Sequence, residues 1–244
     1  MRHLKVFLGW ILPCVAASAN AGPVVLDHVW IVTNPGAPER KALESAGFTI
    51  APSTNHHEGQ GTSSITVEFL NGYLELIWVD AAVSGTPQVI EKFRQRAQWR
   101  TSGWSPIGLA MHRKENGTAP LPWPTWTLPR AAWLREGTSI EMLTPREKPR
   151  SPSVFVIPPY LAIEAPGKSA PGVQQQNGAR RISSLRIVAP SSEEVAGLPA
   201  GDLCETATCT FVAGREWLLE LTLDGNRQEQ ERDFRPQLPL VVRY

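Results

Sequence analysis

The sequence predicts an α+β fold built from repeated, β-rich modules. Residues 24–79 follow the order strand, helix and then three strands. The opening strand at 26–32 and the closing strand at 73–79 have similar counterparts at 182–188 and 217–223, and each closing strand carries one carboxylate among apolar neighbours. Self-similarity of this kind indicates a repeated supersecondary unit.

The first module can be assigned element by element. Residues 24–33 are rich in β-formers and alternate in polarity, which predicts a strand. Residues 39–45 predict a short amphipathic helix, and Gly47 follows it where helices commonly end. Further strands are expected at 48–51, 62–70 and 73–79, with a polar loop at 52–61 and an Asn71-Gly72 hairpin turn.

The middle of the chain is less regular. Thr86 and Pro87 are typical of a helix start, since Thr caps the first turn and Pro is tolerated within it. Residues 120–129 alternate prolines with Trp123 and Trp126, which excludes a regular helix or a central strand. Strands are expected at 107–112, 139–143 and 154–157, and residues 160–165, which contain Glu164, are expected to close this second module.

These assignments give the domain organisation. We expect a signal peptide at residues 1–21, a domain at 22–165 with modules 24–80 and 105–165, a linker at 166–179, a third βαβββ-like module at 180–224 packed on the same domain, and a polar tail at 225–244 ending in an edge strand at 239–242.

The first residues are typical of a secretory signal peptide. Arg2 and Lys5 precede an apolar run at 6–17, and Ala19-Asn20-Ala21 has the small residues of a cleavage site. The apolar run is too short to predict a stable membrane span. We therefore expect an exported protein, in the bacterial periplasm, cut near Ala21.

The mature chain would retain two cysteines, Cys204 and Cys209. In an oxidising compartment such a pair predicts one disulfide, with two free thiols as the alternative. The formal net charge of +1 at pH 7 gives no electrostatic footprint for nucleic acid. A small-molecule ligand is the expected partner, and the sequence leaves the oligomeric state undefined.

Several short motifs together resemble the vicinal oxygen chelate superfamily, in its glyoxalase-like domain branch. They are Leu26-Asp27-His28, Gly47-Phe48, His57-Glu58-Gly59-Gln60-Gly61-Thr62, Tyr73-Leu74-Glu75-Leu76 and the run at 177–182. The resemblance implies βαβββ modules paired into a curved, partly closed mixed sheet with an open pocket, and here an additional C-terminal half-module. It also implies lyase, isomerase or dioxygenase chemistry in those relatives that hold a metal.

Metal-using members of that superfamily place a His on each opening strand and a Glu on each closing strand. His28 and Glu75 match these positions in the first module. In the second module Gly108 stands at the His position, with His112 four residues further on. The resemblance implies one divalent metal (Mn, Fe, Ni or Zn), with His28, Glu75, Glu164 and Glu220 as its candidate ligands. Ser184 stands at the His position of the third module.

The residues themselves point to the same two side chains. His28 lies in an apolar strand, where it serves as a metal ligand, a general base or a buried structural His. Glu75 shares a face with Tyr73, and a carboxylate on a covered face needs a cation, a donor or water. The alternative for Glu75 is a solvent-facing position. We interpret His28 and Glu75 as the catalytic candidates.

A second set of residues is interpreted as ligand-binding. The glycines of the 57–62 loop permit close backbone approach, so the loop could offer N–H groups to an anionic ligand, or else be an exposed polar loop. The two tryptophans between prolines could form an aromatic flap, or a packed crossover loop. The set comprises His57, Gly59, Gly61, Thr62, Tyr73, Trp123 and Trp126.

Two functions follow from these patterns. The first is an exported glyoxalase-like protein with a small-molecule pocket and metal-dependent chemistry. The alternative is a metal-free periplasmic protein of the same fold that binds or sequesters a small molecule. Because fold alone does not define function, a structural or protein-interaction module is a third hypothesis.

Overall fold

The computed structural model describes residues 24–113, 120–128, 134–162, 174–198 and 207–244. These residues form a mixed α+β structure, mostly sheet with few helices, in two open mixed sheets. The predicted fold class is therefore confirmed. The expected signal peptide, Glu164 and Cys204 lie outside the described residues.

Two modules form the first sheet, which has eight strands in the order β2-β3-β4-β1-β5-β8-β7-β6. Its elements are β1 (Val24–Val32), α1 (Arg40–Ser45), β2 (Asn55–His57), β3 (Thr62–Phe69), β4 (Gly72–Val79), α2 (Pro87–Ala97), α3 (Trp99–Ser102), β5 (Ile107–Arg113), β6 (Trp126–Thr127), β7 (Glu141–Met142) and β8 (Ser153–Ile157). Strand β1 pairs in parallel with β4, and β5 pairs in parallel with β8. The two modules meet along the antiparallel pair β1–β5.

The closing strand of the second module is β8, and not residues 160–165 as the sequence suggested. Pro158 ends the extended segment, and residues 159–161 form a short 3₁₀ turn. Because β8 is parallel to β5, it holds the position that β4 holds beside β1.

The C-terminal part forms a second sheet of five strands, in the order β10-β9-β11-β13-β12. Its strands are β9 (Ile182–Ala189), β10 (Thr208–Ala213), β11 (Leu218–Leu223), β12 (Glu231–Asp233) and β13 (Leu240–Arg243). Strand β9 is parallel to β10 and antiparallel to β11, which is parallel to β13. The second sheet thus repeats the alternation of the first, with β9 and β11 in the places of β1 and β5.

Two expectations about this part need correction. The strand near the chain end lies inside the sheet, between β11 and β12, rather than at its edge. Leu240 and Val242 are buried, so the segment expected as a polar tail contributes to the core. The apolar run that begins at Leu238 is the sequence signal for this burial.

One continuous apolar core contains side chains from both sheets. Val29, Ile31 and Leu76 of the first sheet belong to the same buried cluster as Leu185 and Leu219 of the second. Helix α2 lies on the opposite face of the first sheet, where Phe93 packs against Trp30. Within the part of the chain that the structure describes, no helix is long and apolar enough to cross a membrane.

Candidate functional site

The candidate site lies on the face of the first sheet that is turned away from the shared core. On β1, His28 alternates with Val29, which is in the core. The parallel register aligns Tyr73 with His28 and Glu75 with Trp30. His28, Tyr73 and Glu75 therefore share one face of the sheet, as the sequence predicted for the last two.

A bulge at the seam between the modules brings Asp27 to His28. Leu26 pairs with Met111 and His28 pairs with Ala110, so Asp27 is the extra residue between them. Asp27 Oδ1 lies 2.6 Å from His28 Nδ1, and the Asp27 residue is 1% exposed. An ionised carboxylate only accepts hydrogen bonds, so Asp27 is the acceptor in this contact when it is ionised.

The carboxylate of Glu75 lies between two imidazoles. His28 Nε2 is 3.6 Å from Glu75 Oε2, and His57 Nε2 is 3.6 Å from Glu75 Oε1. The second ring nitrogen of His57 is 3.0 Å from Thr62 Oγ1. The side chains of His28, Glu75 and His57 are 11%, 8% and 24% exposed, so His57 is the member nearest to solvent.

His112 extends this group on the other side. Its Nδ1 lies 3.5 Å from Asp27 Oδ2, and this buried nitrogen makes no hydrogen bond. The structure thus joins His112, Asp27, His28, Glu75 and His57 across four strands. Sequence reasoning missed Asp27 because strict alternation puts it on the opposite face, and it left the direction of His112 open.

Burial and neighbouring charges shift three pKa values. Burial opposes protonation of His28, but its hydrogen bond to Asp27 and the charges of Asp27 and Glu75 outweigh burial and raise its pKa. Burial lowers the pKa of His57, only partly offset by Glu75. Burial and the nearby carboxylates raise the pKa of Tyr73 well above its usual value. Tyr73 is stacked on His28, with ring centroids 4.4 Å apart.

The second module offers no donor at the two matching positions. Glu75 is aligned with the residue two after His28, and Phe155 is aligned with Ala110, two after Gly108. A Cβ at Gly108 would lie 2.0 Å from the Trp30 indole. The Trp30 indole therefore packs against Gly108 where a side chain would lie. Phe155 occupies the position in the second module that Glu75 occupies in the first.

The predicted four-ligand metal site is not assembled by the described residues. Among them, no group of three or more His, Cys, Asp or Glu side chains is placed to hold a metal ion. Glu220 lies in the second sheet, where its carboxylate contacts Arg186 and Arg243. Because β9 and β11 correspond to two opening strands, Glu220 does not stand on a closing strand, and its role as a ligand stays a prediction that these contacts do not support. Glu164 lies outside the described residues.

The glycine loop is fixed by packing and is not an anion cradle. The N–H groups of Gly59 and Gly61 both donate to the Ser84 carbonyl at 2.8 Å. Gly61 has φ +68, and a Cβ there would lie 2.6 Å from Ile90. These two N–H groups are therefore already used by the loop at 80–86, which does not support their role as donors to a ligand. Of the loop's predicted residues, His57 reaches the site, with Thr62 behind it.

The tryptophans support the packed crossover loop rather than a flap over a ligand. Trp123 packs against the core between the sheets. Trp126 donates its Nε1–H to the Thr144 carbonyl at 2.8 Å, and the Arg146 guanidinium lies 4.3 Å from its ring centroid. Both side chains are thus explained by packing.

The disulfide stays a prediction. Cys209 is buried on β10, and Cys204 lies outside the described residues.

The open mixed sheet with a histidine and a carboxylate on neighbouring parallel strands defines a glyoxalase-like protein. Residues 26–201 match the profile of the Glyoxalase-like domain family, so the chain belongs to that family. A search of curated proteins found no match.

Solved structures show distant likeness. A hypothetical protein from Staphylococcus aureus is 7% identical, with a TM-score of 0.49, covering 90% of this chain and 98% of that chain. Methylmalonyl-CoA epimerase from Mycobacterium tuberculosis is 15% identical, with a TM-score of 0.36, covering 57% and 90%. A xylose isomerase-like TIM barrel/4-hydroxyphenylpyruvate dioxygenase fusion protein is 9% identical, with a TM-score of 0.45, covering 82% and 36%.

Proposed function

We propose that this glyoxalase-like protein is exported and binds a small, oxygen-rich organic molecule over His28 and Glu75, where His28 exchanges a proton with it. The observation that carries the proposal is the buried chain Asp27–His28–Glu75, with contacts of 2.6 and 3.6 Å. Burying ionisable groups lowers folding stability. Strongly coupled ionisable groups on a covered face are therefore typical of functional sites, where the chemistry requires them.

The arrangement suits acid–base chemistry. The bond to Asp27 engages His28 Nδ1, so Nε2 is the nitrogen that faces Glu75 and a ligand. A positioned imidazole of this kind typically contributes about 10²–10⁴-fold to a proton transfer. Lyase and isomerase reactions that move a proton next to a carbonyl are the matching class.

Ligand binding without turnover is the second candidate. Phe155 and the Trp30 indole fill the second-module half of the ligand positions, which reduces the polar groups available for chemistry.

Thermal-shift binding tests the shared part of both candidates. The mature protein would be screened against 2-oxo acids and catechols, which present oxygen atoms on adjacent carbons, and against coenzyme A thioesters, which have an acidic C–H next to a carbonyl. We expect one class to raise the Tm of the wild type and not of Glu75→Gln. Glu220→Gln is the matched control, because its carboxylate lies on the second sheet, and it should retain binding. Binding that survives Glu75→Gln would contradict the proposal.

Hydrogen exchange in D₂O separates enzyme from binder. With the ligand class identified above, the wild type should incorporate deuterium at the ligand's acidic C–H, and His28→Gln should lose most of that rate. A ligand that binds but neither exchanges nor turns over would favour the binding protein.

Metal dependence and export have their own measurements. Among the described residues, His28 and Glu75 are the predicted ligands that the sheet brings together, and two donors are fewer than a metal centre needs, so we expect substoichiometric Mn, Fe, Ni and Zn in purified protein. Stoichiometric metal that is lost in His28→Ala would contradict this. Export predicts that the full chain, expressed in a Gram-negative bacterium, appears in the periplasm with Gly22 as its first residue.

A further inference from the structure

We propose that Asp27 is a positioning residue that fixes the neutral tautomer and the ring orientation of His28, so that Nε2 carries the free lone pair toward the ligand. This inference deepens the proposed function and rests on it for its catalytic consequence. Its structural part concerns the free protein and can be measured without any ligand.

The first step of the argument is the backbone. In a regular strand the side chains of Asp27 and His28 would point to opposite faces. The bulge between Leu26 and His28 breaks that alternation at this one point. Bulges re-aim side chains and are common beside active sites. Here the bulge lets a neighbour in sequence become a hydrogen-bond partner.

The second step is the strength of the contact. The separation of 2.6 Å between Asp27 Oδ1 and His28 Nδ1 is short, as in charge-assisted hydrogen bonds. Asp27 is 1% exposed, so little water competes for its oxygens. A carboxylate that only accepts hydrogen bonds stabilises the His28 tautomer protonated at Nδ1 over the one protonated at Nε2. Glu75 Oε2 lies 3.6 Å from His28 Nε2, beyond hydrogen-bond distance, so its preference for a protonated Nε2 is weaker than that of Asp27 for a protonated Nδ1.

The third step is the surroundings of the Asp27 carboxylate and of the His28 ring. Its other oxygen, Oδ2, faces His112 Nδ1 at 3.5 Å, from the adjacent strand β5. The carboxylate is thus flanked by two imidazoles, and rotation about its last bond would move Oδ1 away from His28. Tyr73, stacked on the His28 ring at an interplanar angle of 16°, limits the remaining ring motion.

Long-range ¹H–¹⁵N NMR of histidine side chains tests the proposal directly. At a pH where His28 is neutral, the wild type should show His28 with a protonated Nδ1 and an unprotonated Nε2; the signals are assigned with His28→Gln. In Asp27→Asn the amide can donate as well as accept, so we expect that single tautomer to be lost. Asp80→Asn, which removes a carboxylate bound to Ser63 on the same sheet, is the control and should leave His28 unchanged.

The kinetic arm uses the ligand found for the proposed function. Asp27→Asn should lower the deuterium-exchange rate at saturation by about 100-fold, the lower end of a positioned acid–base contribution, and change ligand affinity little. A wild-type spectrum with protonated Nε2 would overturn the proposal, and this reading stands even where Asp27→Asn fails to fold. An unchanged tautomer in a folded Asp27→Asn protein would overturn it too. If no ligand binds, the proposed function fails while the tautomer result still decides the role of Asp27.

Discussion

Position 108 illustrates how one residue shapes the site at the residue scale. Gly108 pairs with Trp30 across the seam, and the Trp30 indole lies where a side chain at 108 would begin. The indole in turn contacts Phe93 of α2. Glycine is therefore required at position 108 because the Trp30 indole approaches the backbone closely, and not because of the backbone angles.

Gly108→Ala should destabilise the protein by about 1–3 kcal/mol, because overpacking a tight core forces neighbouring side chains to move. Urea unfolding of the variant measures this cost. In a double-mutant cycle with Trp30→Leu, the coupling should be about 1 kcal/mol or more, since the smaller side chain frees the space. Additive effects would show that the indole is not the obstacle.

Three of the five site residues, His28, Glu75 and His57, were assigned to the site from the sequence, and two were not. His28 and Glu75 stand in strands with a clear pattern, and the motif around each resembles the family. Asp27 depends on a bulge, which inserts one residue without any mark in the local sequence. His112 faces the site by regular alternation on β5, but only the pairing of β5 with β1 brings it to Asp27. A one-residue shift moves every later side chain of the strand to the other face of the sheet. A prediction from alternating polarity therefore fails at the bulge.

At the scale of single elements, α2 is held on the first sheet by a buried arginine. Arg96 donates to the carbonyls of Ser105, Pro149 and Ser151. Its guanidinium also lies 5.7 Å from the Trp30 ring centroid. Burial lowers the pKa of Arg96 to about 10, so the side chain is charged at neutral pH. The helix covers the apolar end of the site face through this anchor.

Arg96→Lys should cost about 2–3 kcal/mol of folding free energy, because an ammonium group cannot satisfy three divergent carbonyls. Arg94→Lys, on the same helix with a 62% exposed side chain, is the matched control and should change stability by less than about 0.5 kcal/mol. Chemical denaturation of both variants compares them. Equal effects would show that Arg96 is not the anchor.

Element boundaries were predictable where caps mark them. Thr86 caps α2 and Pro87 begins it, as expected. The closing strand of the second module was misplaced because residues 153–157 and 160–165 have similar apolar patterns, and only pairing with β5 separates them. Pairing partners are tertiary information that a short apolar run does not carry.

At the scale of the whole molecule, the two sheets share one core. Leu219 of the second sheet is fully buried in the same cluster as Leu76 of the first. The alternation of strands in the second sheet was only partly predictable. The sequence shows the similarity of 182–188 to 26–32, but it suggested β11 as the closing strand beside β9. In the structure β11 is antiparallel to β9, and β10 is its parallel neighbour. Antiparallel and parallel neighbours differ in direction, which composition does not encode.

Leu219→Ala should therefore destabilise both sheets together, by about 2–5 kcal/mol, because it leaves a cavity in their common core. Tryptophan fluorescence and far-UV circular dichroism should report the same lowered urea midpoint. Leu70→Ala, at a side chain that is 39% exposed, should shift the midpoint little. Separate transitions for the two probes would show that the sheets fold independently.

The place of β13 has a consequence for biogenesis. This strand is made after β11 and β12, yet it is inserted between them. Until residues 240–243 emerge, β11 presents an unpaired edge, and such edges recruit strands from other molecules. A chain truncated before Leu240 is therefore expected to aggregate more readily than the full chain, because β11 keeps this unpaired edge.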